Sequence, residues 1–123
     1  MAVNGSAGKR RTGGYFAGWI VCVSGPQYGK DFKLFYGFNR IGSSGKTDIL
    51  IEGDAGIAAN EHCSVVYDKR SARFFLCPGK DTETFLNGEK VENSEELKLY
   101  DEIRLGESVF EFIPFCRKDR QWQ

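Results

Sequence analysis

Hydrophobic and polar positions alternate with a period of two over much of this chain. Asp31–Tyr36 sets Phe32, Leu34 and Tyr36 against Asp31 and Lys33, the pattern of a half-buried strand. Leu97, Leu99, Ile103 and Leu105 recur at even spacing, a strand period and not a helical one. Trp19–Val23 is a nearly continuous apolar run stopped by Ser24-Gly25-Pro26, and Asp48–Ile51 is short and apolar. His62–Tyr67 and Arg73–Cys77 flank the polar turn Asp68-Lys69-Arg70-Ser71 and predict a hairpin. Phe85-Leu86 runs into Asn87-Gly88, a dipeptide suited to positive φ at a tight hairpin turn. Glu102–Leu105 and Val109–Ile113 close the series across Gly106-Glu107-Ser108. Fifteen glycines and three prolines break the chain too often for long helices; a single helical turn near Ser94–Leu97 is the one exception the pattern allows. Around ten short strands at this spacing predict an all-β domain, a two-sheet β-sandwich with its loops gathered at the ends. Function in such a scaffold usually sits in the loops.

Composition narrows this further. With 123 residues the chain makes one domain, and 41% hydrophobic with 28% charged residues excludes disorder over most of it. Apolar runs stop far short of the roughly 20 residues that span a bilayer, and the chain does not open as a signal peptide would. Net charge is zero but unevenly spread: residues 1–14 carry Lys9, Arg10 and Arg11 and no acid, and residues 117–123 are also basic. The body, residues 15–116, holds eleven basic against sixteen acidic side chains. An acidic body is a poor nucleic-acid partner, because phosphate contacts need clustered Lys and Arg. The division expected is a flexible Gly-rich basic segment 1–14, a folded domain 15–116 and a basic C-terminal tail 117–123, with Trp122 either exposed in that tail or a lid on the sandwich. Cys22, Cys63, Cys77 and Cys116 form no C-x-x-C pair, and each sits in an apolar stretch, which fits buried thiols in a reducing, cytoplasmic setting. Neither a metal nor a cofactor is expected. Asn4-Gly5-Ser6 matches a glycosylation sequon, with no other sign of secretion.

The chemistry worth weighing lies in one loop, Arg40-Ile41-Gly42-Ser43-Ser44-Gly45-Lys46-Thr47. Gly45-Lys46-Thr47 invites a phosphate-loop reading, but Arg40 stands where that motif needs a glycine, and Asp48-Ile49-Leu50-Ile51 is a strand where it needs a helix. What survives is a loop with Arg40, Lys46, two serines and free backbone N–H groups, able to hold an anion. A solvated turn is the plain alternative.

The order of pieces favours the first of these. Arg40-Ile41-Gly42, then Asp48-Ile49-x-Ile51, then Ile57 with His62 five residues on, resembles the forkhead-associated (FHA) domain. The resemblance continues through Thr84-Phe85-Leu86-Asn87-Gly88 and Leu97-x-x-Tyr100-Asp101-x-Ile103-x-Leu105-Gly106, and covers about residues 18–115. It implies a sandwich of about eleven strands that binds phosphothreonine peptides with loops at one end. The family's Gly-Arg pair falls on Asn39-Arg40, so Arg40 is the arginine that holds the phosphopeptide, a role suited to a planar fork of donors. The Ser-x-x-His motif falls on Ala59-Asn60-Glu61-His62. His62 then braces the loops from inside, Asn60 offers an amide to a peptide backbone, and the phosphate-binding serine is replaced by Ala59. The family's Asn-Gly-Thr falls on Thr82-Glu83-Thr84, so Thr82 replaces the asparagine that grips peptide main chain, and Asp81 stands where a small hydroxyl residue is usual. Tyr100 replaces the glycine of a Gly-Asp pair.

These departures have an energetic weight. A phosphothreonine carries about −1.5 to −2 charges at pH 7. A carboxylate about 5 Å away, at an effective dielectric near 20, repels each of those charges by roughly 3 kcal/mol. One arginine hydrogen bond returns about 1.5–3 kcal/mol. Arg40 therefore needs help from Ser43, Ser44 and Lys46, unless Asp81 points away or pairs with Lys80 or Arg40. Two classes of function stay open. One is a signalling or regulatory module reading phosphothreonine proteins through Arg40, Ser43, Ser44, Lys46, Asn60 and Thr82. The other is a degenerate, phospho-independent scaffold or assembly part, as in a bacterial secretion or membrane complex, with this stretch the cytosolic portion of a larger protein. Catalysis is not expected: the single histidine has no cysteine or serine motif beside it, and no carboxylates are paired in a marked setting.

Overall fold

A computed structural model describes residues 14–122; the sequon and the three basic residues of the N-terminal segment lie outside the described residues. Eleven strands run in chain order: β1 (Phe16–Ser24), β2 (Asp31–Phe35), β3 (Gly37–Gly42), β4 (Ile49–Leu50), β5 (Cys63–Asp68), β6 (Arg73–Pro78), β7 (Thr84–Leu86), β8 (Glu89–Lys90), β9 (Glu95–Leu97), β10 (Glu102–Leu105) and β11 (Ser108–Pro114). They form a six-stranded sheet in the order β2-β1-β11-β10-β7-β8 and a five-stranded sheet in the order β4-β3-β5-β6-β9. All pairings are antiparallel except β3 with β4, where Ile41 faces Ile49. Among the described residues no helix is long and apolar enough to cross a membrane.

The alternation read from the sequence points inward as a strand period requires. Ile20, Leu34, Ile103, Leu105, Phe110 and Phe112 from one sheet meet Ile41, Val65, Tyr67, Phe74, Leu76 and Leu97 from the other, all buried. Phe74 and Phe112 meet edge-on across the two layers, with ring centroids 4.7 Å apart. Burial pushes the Tyr67 hydroxyl up to about 12, and its O–H is donated to Gln121 Oε1. The Asn87-Gly88 turn has positive φ at both residues, 52° and 87°, and joins β7 to β8 as expected of this dipeptide.

Several local expectations are corrected. Arg40 and Ile41 lie in a strand, β3, and not in a loop. Asn39 is what hid that strand: it is polar, yet it points inward and is fully buried. Its side-chain amide donates to the carbonyls of Phe35, Gly37 and Val65 at 2.8, 3.2 and 3.0 Å and accepts the Phe35 N–H at 2.8 Å, so no polar atom is left wanting. Glu95–Leu97 is strand and not a helical turn, because it pairs with β6 through Phe74 and Leu76. Leu99 breaks the even-spaced series, since residues 98–101 form a turn and Leu99 is exposed there. Tyr100 sits at a positive φ (73°), a conformation that glycine adopts without steric cost. All four cysteines are free, and Cys22, Cys63 and Cys116 are buried.

The basic residues 117–122 fold back onto the sandwich. Arg117 and Arg120 bridge through their backbones, and Arg120 lies over the Phe115 ring at 4.1 Å. Trp122 stacks on Phe115 at 5.8 Å, and its indole N–H donates to the Phe16 carbonyl at 2.6 Å, while about half of the residue stays exposed, so it is packed on the sandwich and open to solvent at once.

Candidate functional site

Three loops are tied together at the end where β3 stops and β5 starts. The N–H groups of Ser43 and Ser44 donate to the carbonyls of Ala58 and Ala59 at 3.0 and 2.9 Å, lacing the β3–β4 loop to the β4–β5 loop. Gly42 permits this approach: a Cβ there would stand 2.5 Å from the Ala59 carbonyl oxygen. The β6–β7 loop joins through His62, which is buried between them. Its Nδ1 accepts the Ala58 N–H at 2.9 Å, so Nε2 carries the hydrogen and donates to the Glu83 carbonyl at 2.8 Å. Both ring nitrogens are thus occupied inside the protein.

Asp54 ties in a fourth segment, the β10–β11 turn. Its Oδ1 accepts the Gly56 N–H at 2.9 Å, and its Oδ2 accepts the Glu107 N–H at 2.9 Å and the Ser108 hydroxyl at 2.6 Å. Burial alone would raise this carboxyl's pKa, but the Ser108 hydroxyl and the loop N–H groups outweigh burial and hold it below the ordinary carboxylate value. Gly106, at φ 57°, makes room, since a Cβ there would stand 2.6 Å from the carboxylate.

The residues named from the sequence divide into two groups on this scaffold. Arg40 stands on the outer face of β3, opposite Ser64, with 54% of its side chain exposed. Asp48 Oδ2 takes both the Arg40 N–H at 2.9 Å and its Nε at 3.3 Å. The two terminal guanidinium nitrogens have no partner among the described residues. Ser44 Oγ lies 3.5 Å from Asn60 Oδ1 and accepts the Lys46 N–H at 3.3 Å, while the Lys46 and Asn60 side chains stand in solvent. Ser43 is turned the other way, with its hydroxyl donated to the Ile57 carbonyl at 3.0 Å. The Thr82 hydroxyl likewise points to its own scaffold, 2.7 Å from the His62 carbonyl and 3.1 Å from that of Gly79.

Beside these loops lies a groove of about 340 Å³. Residues 55–58 form one wall, Asp81, Thr82 and Glu83 another, and Phe85, Arg104 and Gly106 complete it. Asp81, at φ 59°, is exposed and has no ion-pair partner among the described residues, so it pairs with neither Lys80 nor Arg40. Glu83 faces Lys90 at 3.9 Å. Neither Arg104 nor Phe85 was named from the sequence as a site residue, although Phe85 belongs to the hairpin motif read there. Their signal was present in the alternation, which turns both away from the core on neighbouring strands, with Arg104 directly opposite Phe85.

Comparisons with known proteins place this fold. The family model of the FHA domain matches residues 39–106, more than half of the chain, and the chain belongs to that family. Among solved structures, the FHA domain of an Arabidopsis thaliana hypothetical protein is 24% identical, with a TM-score of 0.68 over 89% of this chain and 92% of that one. The N-terminal FHA domain of Rad53p from S. cerevisiae, solved with a phosphothreonine peptide, is 18% identical, with a TM-score of 0.67 over 84% of this chain and 94% of that one. An FHA domain from Chlamydia trachomatis is 20% identical, with a TM-score of 0.67 over 79% and 96%. A search of curated proteins returns no match. FHA domains are interaction modules, and a protein-interaction role follows for this chain from its family.

Proposed function

We propose that this domain reads phosphothreonine-containing proteins in a signalling or regulatory assembly, with the phosphate held at the junction of the β3–β4 and β4–β5 loops. The observation that carries the proposal is the pairing of Arg40, with two unpartnered guanidinium nitrogens, with loops laced so that Ser44 meets Asn60 at 3.5 Å. A guanidinium with two free terminal nitrogens, followed in the chain by a loop that carries the Ser44 hydroxyl and an exposed Lys46, supplies donors of the kind an anion takes. Ser43 and Thr82 serve the site by fixing the loops, since each hydroxyl hydrogen is given to a backbone carbonyl. His62 holds the two loops from inside. Neither ring nitrogen of this histidine is free to move a proton. Four unpaired thiols fit a reducing, cytoplasmic setting.

A phospho-independent docking role is the second reading, and one observation favours it: Asp48 already holds Arg40 Nε, while Ala59 offers no hydroxyl to replace that contact. Binding of a phosphothreonine peptide library, measured beside its unphosphorylated twin, separates the two. Arg40→Ala is expected to weaken the phosphopeptide by about tenfold or more, the worth of one charge-assisted bond. Its thermal midpoint should be nearly unchanged, since Arg40 is exposed and its one ion pair is a surface pair. Equal affinity for phosphorylated and unphosphorylated peptides decides for docking.

A further inference from the structure

We propose that the end of the sandwich opposite the recognition loops docks on an anionic phospholipid surface, with those loops turned away from it. Three segments build this end: the β5–β6 turn (residues 69–72), the turn before β10 (residues 98–101) and residues 117–122. They close over one aromatic cluster. Tyr67, near the end of β5, meets Tyr36 at 5.0 Å and Phe74 at 4.5 Å, and gives its hydroxyl hydrogen to Gln121. Phe74 meets Phe112, whose carbonyl accepts the Tyr100 N–H at 2.9 Å. Tyr15 packs on Tyr36 at 5.4 Å, so β1 starts at this end as well.

Exposed apolar groups and cations gather here together. Seven large apolar or aromatic side chains are exposed among the described residues, and four of them, Tyr15, Leu99, Tyr100 and Trp122, stand at this end. Around them lie Lys69, Arg70, Lys98, Arg117, Lys118 and Arg120, all exposed. Three carboxylates share the end, and each is already engaged. Asp68 accepts the Ser71 hydroxyl at 2.8 Å, Asp101 the Lys98 N–H at 2.8 Å and Asp119 the Arg117 Nε at 2.7 Å. Six cations against three carboxylates leave a positive balance. Lys69, Arg70, Lys98 and Lys118 have no carboxylate within 4 Å among the described residues. In sequence, Lys9, Arg10 and Arg11 precede Tyr15 by four to six residues, at most about 20 Å of chain. Glu89 and Glu102 stand on the neighbouring flank beside the Asn87-Gly88 turn, so the lipid-facing surface leans toward residues 117–122.

This mixture fits a membrane interface. Tryptophan and tyrosine favour the headgroup layer, and each Lys or Arg near an anionic leaflet is worth about fivefold in affinity. The Trp122 indole N–H is already donated to the Phe16 carbonyl, so the ring enters that layer with no unpaired donor. The apolar side chains protrude from separate turns, which a soft lipid layer can envelop, whereas a protein partner would need a matching groove. A nucleic acid would use the cations and leave Leu99 idle.

The test sediments the whole chain with vesicles of phosphatidylcholine alone, or of phosphatidylcholine with about 30% phosphatidylserine. The anionic vesicles are expected to bind at least about tenfold more tightly, with a blue shift of tryptophan emission, and to release the protein at about 0.5 M salt. The triple variant Lys69→Gln, Arg70→Gln, Lys118→Gln should lose about tenfold or more, and Leu99→Ser about threefold. Every substituted side chain is exposed, so the thermal midpoints should match that of the wild type. Equal binding to both kinds of vesicle, no binding to either, or full affinity in the triple variant or in Leu99→Ser overturns the proposal. So does tighter binding, per anionic charge, of duplex DNA or of a polyglutamate peptide, which would give this end to a nucleic acid or to an acidic protein. Arg40→Ala should bind vesicles as the wild type does, so this result stands or falls apart from the phosphopeptide reading.

Discussion

Asp54 offers the sharpest test of how the recognition end is held together. Its carboxylate is 7% exposed and serves three donors, one on Oδ1 and two on Oδ2, from segments about fifty residues apart in the chain. Asp54→Asn keeps the shape and removes the charge. An amide has one acceptor oxygen, so whichever way it is turned its NH₂ meets at least one backbone N–H, from Gly56 or from Glu107. A buried donor left without an acceptor costs about 1–3 kcal/mol, and the surviving bonds lose their charge assistance for roughly 1 kcal/mol more. The group lies just beneath the surface and water relieves part of this, so the expected loss is about 2–3 kcal/mol. For a domain of this size that lowers the thermal midpoint by roughly 8–12 °C. Urea unfolding of wild type and variant at neutral pH measures it directly. The pH dependence supplies a second check. The folded-state pKa lies below the ordinary value of 3.8, so the stabilisation is fully present above that value and is lost as pH falls through the lower folded value. The gap between wild type and Asp54→Asn should therefore narrow as pH drops below about 4. A loss under about 0.5 kcal/mol at neutral pH, or a gap that does not narrow in acid, would refute the assignment of the carboxylate as the pin.

Asn39→Ala removes four hydrogen bonds made by a fully buried side chain, so urea unfolding should show a loss of about 2–4 kcal/mol; an unchanged midpoint would mean the backbone finds other partners. Asn39→Gly, which restores the residue the family pattern carries there, should be worse still because glycine adds backbone freedom within β3. Asp48→Asn is expected to raise phosphothreonine peptide affinity about two- to fivefold by isothermal titration, since it removes a competing charge 3.3 Å from Arg40 at a partly screened surface site. Weaker binding by that variant would show that Asp48 orients Arg40 for the ligand and does not compete with it.

The sequence by itself determined the class of fold and most of its strands. Alternation placed Ile103 and Leu105, Phe110 and Phe112, and Val65 and Tyr67 toward one interior, because a period of two leaves a pleated chain no other way to hide its apolar positions. The Asn87-Gly88 turn was equally legible, since its conformation depends on two adjacent residues alone. The order of short motifs was enough to suggest the family. What tertiary structure decided was whatever depends on partners distant in sequence. Asn39 reads as an interruption until Phe35, Gly37 and Val65 surround it, and Glu95–Leu97 is a strand because β6 offers it an edge. The bonds of the Ser43 and Thr82 hydroxyls to the Ile57 and His62 carbonyls likewise cannot be read from spacing. Asp48's hold on Arg40, Asp54's reach to Ser108 and the groove under Arg104 are likewise products of loop closure. Periodicity acts over neighbouring residues and is written in composition, whereas a binding end is assembled from segments tens of residues apart whose meeting only the packed sheets determine.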